Sequence, residues 1–364
     1  MKAAIVRAAG QLSIEDIPLP AVNDYAALCK ILYGATCTAT DQHIISNTVI
    51  QTPYPTLLGH ESIGRVLETG KRVRHYKVGD RVTNTGVPPV PALGLHSFGG
   101  GYAEYGLVFD HAAMRADGLS EQEMLRYTVG PRVPSAVIPE DIPDTVAPML
   151  ITWRETHSYI HRMGLKEGLQ VLVIGSGGNG LSFVAHARAA AAHKIVAVGS
   201  ANRADLARLC GADDTIDYRD DNLADRLRAA AGSGFHLIVD AIGTTGQMDT
   251  YLPFAAADAV VGIYGIEGRR NMRLNPFAAR HSFRFYHDGY KEIEAHEAVI
   301  RSIRNGFLKA DLFYPIEKPY RLDDLPAAFA MLRRKEHPKA LIQMHPEETK
   351  PDPGNDCIIS CAKG

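Results

Sequence analysis

Cysteine is scarce in this 364-residue chain. Its five residues (Cys29, Cys37, Cys210, Cys357, Cys361) are odd in number and widely spaced, which argues against a disulfide framework and for a reducing, cytoplasmic setting. Charge of one sign is equally lacking: 39 Lys and Arg stand against 41 Asp and Glu, a net charge of −2. The chain therefore has no basic footprint for nucleic acid or an anionic membrane, and a small molecule is the expected partner. No segment approaches ~18 uninterrupted apolar residues, and the apolar run in the opening MKAAIVRAAG is too short for a signal peptide. What remains, 46% hydrophobic and 22% charged residues, is the composition of a soluble globular protein. At ~150 residues per domain, the length predicts two domains.

The first hundred residues read as short strands separated by Gly and Pro, among them KAAIVRA (2–8), ALCKILYG (27–34), ESIGRVLETG (61–70) and GDRVTNTG (79–86). Such spacing predicts a β-rich, barrel-like domain. Near residue 145 the pattern changes to strand and helix in alternation: LQVLVIG (169–175), a helix over 180–192, KIVAVGS (194–200), a helix over 203–212, FHLIVDAIG (235–243) and AVVGIYGI (259–266). Alternation of this kind implies right-handed βαβ units and a parallel sheet covered on both faces. A long helix over 290–306, a strand-like FYPIEKPY and a helix over 322–334 follow, then a polar tail from 346 to 364 whose Cys357 and Cys361 read as exposed thiols rather than metal ligands.

Gly175-Ser176-Gly177-Gly178-Asn179-Gly180 fits GxGxxG and stands directly between a strand and a helix. Gly175 permits the tight turn, Gly177 lets the backbone approach a pyrophosphate, and Gly180 lets helix and strand pack closely. The helix N-terminus adds unpaired N–H groups facing the phosphates. At the end of the next strand an acid would bind the ribose 2′-hydroxyl of NAD. Here the run is Gly199-Ser200-Ala201-Asn202-Arg203, and a hydroxyl and a guanidinium suit a 2′-phosphate, so NADP(H) is expected over NAD(H).

Thr40-Asp41-Gln42-His43, Gly59-His60-Glu61, Gly64 and the Gly79-Asp80-Arg81-Val82 turn precede the glycine loop; Leu209-Cys210-Gly211-Ala212-Asp213 and Val239-Asp240-Ala241-Ile242-Gly243 follow it. In this order they resemble the medium-chain dehydrogenase/reductase superfamily, in its zinc alcohol and polyol dehydrogenase branch. The resemblance implies an α/β protein with a discontinuous GroES-like catalytic domain (1–145 and 291–345) and a Rossmann cofactor domain (146–290), with Gly243 at the cofactor. It also implies that Thr40 binds the substrate oxygen and relays its proton through His43, while Asp41 orients the histidine ligand of a metal.

Zinc is where the chain departs from that pattern. The family places a Cys two residues before the TD pair, the His of GHE, and a further Cys, Asp or Glu ahead of the Rossmann domain. His60 is intact, with Glu61 an occasional ligand. Cys37 lies one residue too far from Asp41, a displacement that a local bulge would correct. At the third position Ala147-Pro148-Met149-Leu150 is followed by Ile151, and Glu155, one turn later, is the nearest substitute. With two of three positions altered, the pattern tips against a bound catalytic zinc without removing it. The family's structural zinc lobe has no counterpart, because no cysteine lies between Arg81 and Arg126.

The leading expectation is thus an NADP(H)-dependent alcohol dehydrogenase or carbonyl reductase. A zinc-independent NADPH reductase of an activated C=C or C=N bond is the alternative, and a non-catalytic NADP(H)-binding protein the third reading. His96-Ser97-Phe98 and the Gly99-Gly100-Gly101 run either border the active-site mouth or make a hairpin. Trp153, the only tryptophan, reads as interdomain core, and His157, Tyr159 and His161 as faces of the linking helix. The resemblance implies a homodimer or homotetramer, with AVVGIYGI and the Phe-rich segment after it as a candidate sheet edge.

Overall fold

The computed structural model describes residues 1–128 and 133–346; the Cys357 and Cys361 readings lie outside the described residues. Two sheets form the part that holds the TDxH and GHE motifs. In one, Lys2–Ala8 pairs antiparallel with Gln11–Asp16 and with Thr56–Leu57, which His96–Ser97 extends. In the other, Ala26–Ala35 is central, with Glu61–Thr69 on one side and Tyr105–Phe109 on the other. The far end of the chain completes that second sheet: Leu341–Gln343 pairs with Ala35 to Tyr33, so residues some three hundred positions apart build one layer around Cys37.

The six strands between 170 and 286 are all parallel, in the order Asp214–Asp217, Lys194–Gly199, Gln170–Ile174, Phe235–Asp240, Ala255–Ile263, Phe283–Tyr286. This is the doubly wound 3-2-1-4-5-6 arrangement, whose ligand crevice lies at the carboxyl ends where the order reverses. Val171, Leu172 and Val173 are fully buried, because helices cover both faces and leave no polar-facing position for alternation to reveal. Ala255–Ile263 lies inside the sheet, so the expected edge is confined to Phe283–Tyr286, where Phe285 is exposed.

Between the two parts runs the helix Met149–Arg162. Trp153 is buried on it, edge-on to Phe313, and Arg154 forms a buried ion pair with Glu292 at 2.8 Å. Beside that pair the structure departs from expectation: Glu292–Ala295 is a tight 3-10 turn, with the α-helix confined to His296–Arg304. FYPIEKPY is not a strand beyond the short Tyr320–Arg321, since Pro315 and Pro319 cannot donate to a ladder. The helices Thr38–Ser46, His111–Ala116 and Glu121–Thr128 interrupt what reads in sequence as a run of strands.

Candidate active site

Strand ends and helix starts bring the glycine loop into the crevice. Gly175 closes the strand Gln170–Ile174 with φ 107°, and a Cβ on Gly180 would sit 1.8 Å from the Gly175 carbonyl. No side chain fits there, and the close approach seats the helix Gly178–Ala189, N-capped by Gly177 and carrying Asn179 in its first turn, against the strand. Gly199 meets Ser176 in the same way, and Gly243, at φ 75°, packs on Gly265. Beside the loop lies a cavity of about 210 Å³ lined by Gly199, Ser200, Asp217 and three arginines, Arg203, Arg208 and Arg226. Arg203 is mostly buried; its Nη2 donates to the Lys335 carbonyl while its buried Nη1 has no partner. Sequence reading found Arg203 but missed Arg208 and Arg226, which reach the cavity from helices whose facing the sequence does not fix.

Cys37, His60 and Glu61 converge so that their ligand atoms lie within 4.8 Å of one another. Cys37 precedes the helix Thr38–Ser46 as its N-cap residue, and its N–H donates to Asp41 Oδ2 at 3.1 Å. Asp41 is fully buried; Oδ2 also accepts from the Tyr102 hydroxyl at 2.7 Å, and Oδ1 stands 3.5 Å from His60 Nδ1. Neither Asp41 Oδ1 nor His60 Nδ1 has another partner, so the carboxylate faces one edge of the imidazole and leaves Nε2 for a ligand. Burial opposes charge on His60, but Asp41 and Cys37 outweigh it and hold its pKa well above the usual histidine value. The Phe98 ring stands edge-on to His60 at 5.8 Å, which puts Phe98 beside the metal group.

Glu61 is held from two sides. Thr152 Oγ1 donates to Oε1 at 2.8 Å, and Lys339 Nζ donates to Oε2 at 2.6 Å and to the Thr36 carbonyl at 2.9 Å. A thiol, an imidazole and a carboxylate are the donor set and count of a catalytic zinc site, which keeps its fourth position for substrate. Glu155 does not join them, contrary to the sequence expectation. Its Oε2 accepts from Tyr264 at 2.8 Å and its Oε1 from Tyr290 at 3.0 Å, so two phenols, each just beyond a strand of the parallel sheet, hold both its oxygens. Burial first, then Glu292 and Glu61, push the Glu155 pKa up to about 7. Lys339, Thr152, Tyr264 and Tyr290 were missed in sequence because each lies far along the chain from the residue it holds.

Thr40 and His43 lie three residues apart on the helix Thr38–Ser46, hence on one face. The His43 ring is fixed by Thr48 Oγ1 at 2.9 Å and by Glu267 Oε1 at 3.0 Å. Among the described residues it makes no hydrogen bond to Thr40.

This geometry has known counterparts. The alcohol dehydrogenase GroES-like domain family matches residues 23–117 and the zinc-binding dehydrogenase family residues 178–299. The chain belongs to the zinc-type medium-chain dehydrogenase/reductase superfamily. Mannitol dehydrogenase of Petroselinum crispum is 30% identical over 61% of this chain and 66% of its own length. The NADP-dependent isopropanol dehydrogenase of Thermoanaerobacter brockii is 28% identical over 69% and 71%. Among solved structures, 2R,3R-butanediol dehydrogenase from Bacillus subtilis superposes with TM-score 0.76 at 22% identity, covering 94% of this chain and 99% of that one. The dehydrogenase is thus an alcohol or polyol dehydrogenase-type oxidoreductase. No helix among its described residues is long and apolar enough to cross a membrane.

Proposed function

We propose that this dehydrogenase interconverts an alcohol and a carbonyl compound with NADP(H), at a zinc held by Cys37, His60 and Glu61. The observation that carries the reading is the convergence of those three donors, backed by Asp41, in a chain that also carries a doubly wound sheet with its glycine loop. When bound, zinc would polarise the substrate oxygen as a Lewis acid, and NADP(H) would supply or accept the hydride. The protein's own residues do the rest. Asp41 fixes the orientation of His60, and Thr152 with Lys339 anchors the Glu61 carboxylate. Thr40 hydrogen-bonds the substrate oxygen and passes its proton toward His43, one turn further along the same helix, whose ring is already oriented by Thr48 and Glu267.

Preference for NADP(H) rests on the absence of an acid at the end of Lys194–Gly199 and on the arginines around the adjoining cavity. A buried guanidinium N–H without a partner costs on the order of 1–3 kcal/mol, and a 2′-phosphate would satisfy it. The NADP-dependence in the name of the Thermoanaerobacter relative agrees with this preference.

One observation favours a second reading. Both oxygens of Glu61 are already engaged and Ile151 offers no donor, which suits a zinc-independent reductase of an activated double bond. Metal analysis and turnover of the purified protein separate the two. The proposal expects about one zinc per chain, NADP+ reduction with simple alcohols, and loss of that activity on chelation with recovery on adding zinc. Undiminished turnover by metal-free protein, with reduction of an enal at carbon, would refute it in favour of the second reading.

A further inference from the structure

Strand order fixes which way a dinucleotide lies in this crevice. The arginine-lined cavity stands at the ends of Lys194–Gly199 and Asp214–Asp217, and the glycine loop follows the neighbouring Gln170–Ile174. With adenosine in the first and pyrophosphate on the second, the nicotinamide runs over the carboxyl ends of Phe235–Asp240 and Ala255–Ile263. Tyr264 is the first residue beyond the latter strand, and its hydroxyl, with that of Tyr290, holds the Glu155 carboxyl at this end of the crevice.

The charges around Glu155 are unevenly compensated. Glu292 is paired with Arg154 at 2.8 Å and Glu61 with Lys339 at 2.6 Å, each pair almost fully buried. Among the described residues Glu155 makes no salt bridge; phenols alone hydrogen-bond its carboxyl oxygens, and His60 of the metal group acts on it only at longer range. A carboxyl without a salt-bridge partner is costly when buried against low-dielectric aromatic surface, here that of Tyr264, whose ring packs edge-on to Tyr159 and Phe183. The oxidised nicotinamide ring is a cation and the reduced ring is neutral.

We propose that Glu155 is the countercharge for the oxidised nicotinamide, strengthening binding of NADP+ relative to NADPH. The proposal rests on the dinucleotide-binding reading above. It gives Glu155 a task other than the metal ligation expected from sequence. Tyr264 and Tyr290 are its positioning residues: their hydroxyls donate to both oxygens and fix the plane of the carboxylate without neutralising it.

Dissociation constants for NADP+ and NADPH, measured without substrate by cofactor and protein fluorescence on the full zinc-supplied chain, test this. Glu155→Gln should raise the ratio of the NADP+ to the NADPH constant by about tenfold or more, the scale of one charge pair a few ångströms apart in a partly buried site. Glu155→Asp, which keeps the charge, should leave the ratio within about threefold of wild type. Glu155→Thr is a second neutral variant, so either neutral protein that folds, as judged by circular dichroism, decides the matter. An unchanged ratio in the neutral variants overturns the proposal, as does an equal change in Glu155→Asp, which would make shape and not charge the cause. Wild-type protein that binds neither NADP(H) nor NAD(H) overturns the functional reading instead; if it prefers NAD(H), the same ratios are read with NAD+ and NADH.

Discussion

Replacing Lys339 by Met tests how the metal group is tied to the returning C-terminal strand. Lys339 Nζ and the Glu61 carboxylate are 2.6 Å apart and both side chains are 2% exposed. Methionine keeps the length of the chain but removes the charge, leaving Glu61 buried with Thr152 as its remaining partner. Breaking one side of a buried pair costs about 3–5 kcal/mol, because the other charge stays desolvated and uncompensated. At roughly 2 °C per kcal/mol for a chain of this size, the melting temperature of chelator-treated protein falls by about 6–10 °C. Adding Glu61→Gln removes the stranded charge, so the double variant recovers about half of that loss or more. Burial lowers the Lys339 pKa and Glu61 raises it, with a net rise above 10.5. A raised folded-state pKa means that the contribution is complete below the unfolded value and is lost as pH rises through the folded one. The gap between wild type and Lys339→Met therefore persists across neutral pH and closes only in strong alkali. A single variant that melts within about 1 °C of wild type, or a double variant no better than the single, would refute the assignment.

Three further outcomes are expected. Arg203→Ala should raise the KM for NADP+ by about tenfold or more, the worth of a charged hydrogen bond, with little effect on NAD+; a change in NADP+ of under about twofold would remove Arg203 from phosphate recognition. Asp41→Asn should weaken zinc binding by about 10–100-fold in a chelator-competition titration, and equal affinity would show that the 3.5 Å approach to His60 does not orient the ring. Burial first, then His161 and Arg301, hold the His157 pKa at about 4 against 6.5 for a free histidine, so its stabilising effect is present above the free value and is lost as pH falls through the folded one. His157→Gln should accordingly narrow the drop in melting temperature between neutral and mildly acidic buffer, and an identical drop in both proteins would contradict that.

How much of this was legible in the sequence depends on how far each feature reaches along the chain. The glycine loop and the parallel strands were legible because each is a contiguous run: Val171 to Ile174 is apolar throughout and the loop follows without a gap. Glu121–Thr128 was equally local and was passed over. Ser120 N donates to Glu123 Oε2 at 2.8 Å and Glu123 N to Ser120 Oγ at 3.3 Å, a capping box that the letters S-E-Q-E spell out. Glu155 could not be placed this way. Helical spacing sets it one turn beyond Ile151, but its direction is decided by Tyr264 and Tyr290, 109 and 135 positions later.

Cys37 shows why counting within a motif can mislead where counting along a fold does not. Measured back from Asp41 the ligand position falls on Thr38, and Thr38 Oγ1 is spent on the Pro338 carbonyl at 2.8 Å. Measured forward from the strand, it falls on Cys37, which the structure sets beside His60 and Glu61. The strand Ala26–Ala35 does not absorb the mismatch: its pairing with Glu61–Thr69 takes an extra residue on the partner between Leu28 and Cys29 and one on its own side between Ile31 and Tyr33, so the two shifts cancel. The register at Ala35 is therefore the one at Leu28, and the extra residue lies beyond the strand, between Cys37 and Asp41. Beyond Ala35 the helix takes over: Cys37 N–H closes on Asp41 Oδ2, so the carboxylate that faces His60 also anchors the backbone of the neighbouring ligand. One buried aspartate thereby fixes two donors, and with the extra residue before it Cys37 still stands beside His60 and Glu61.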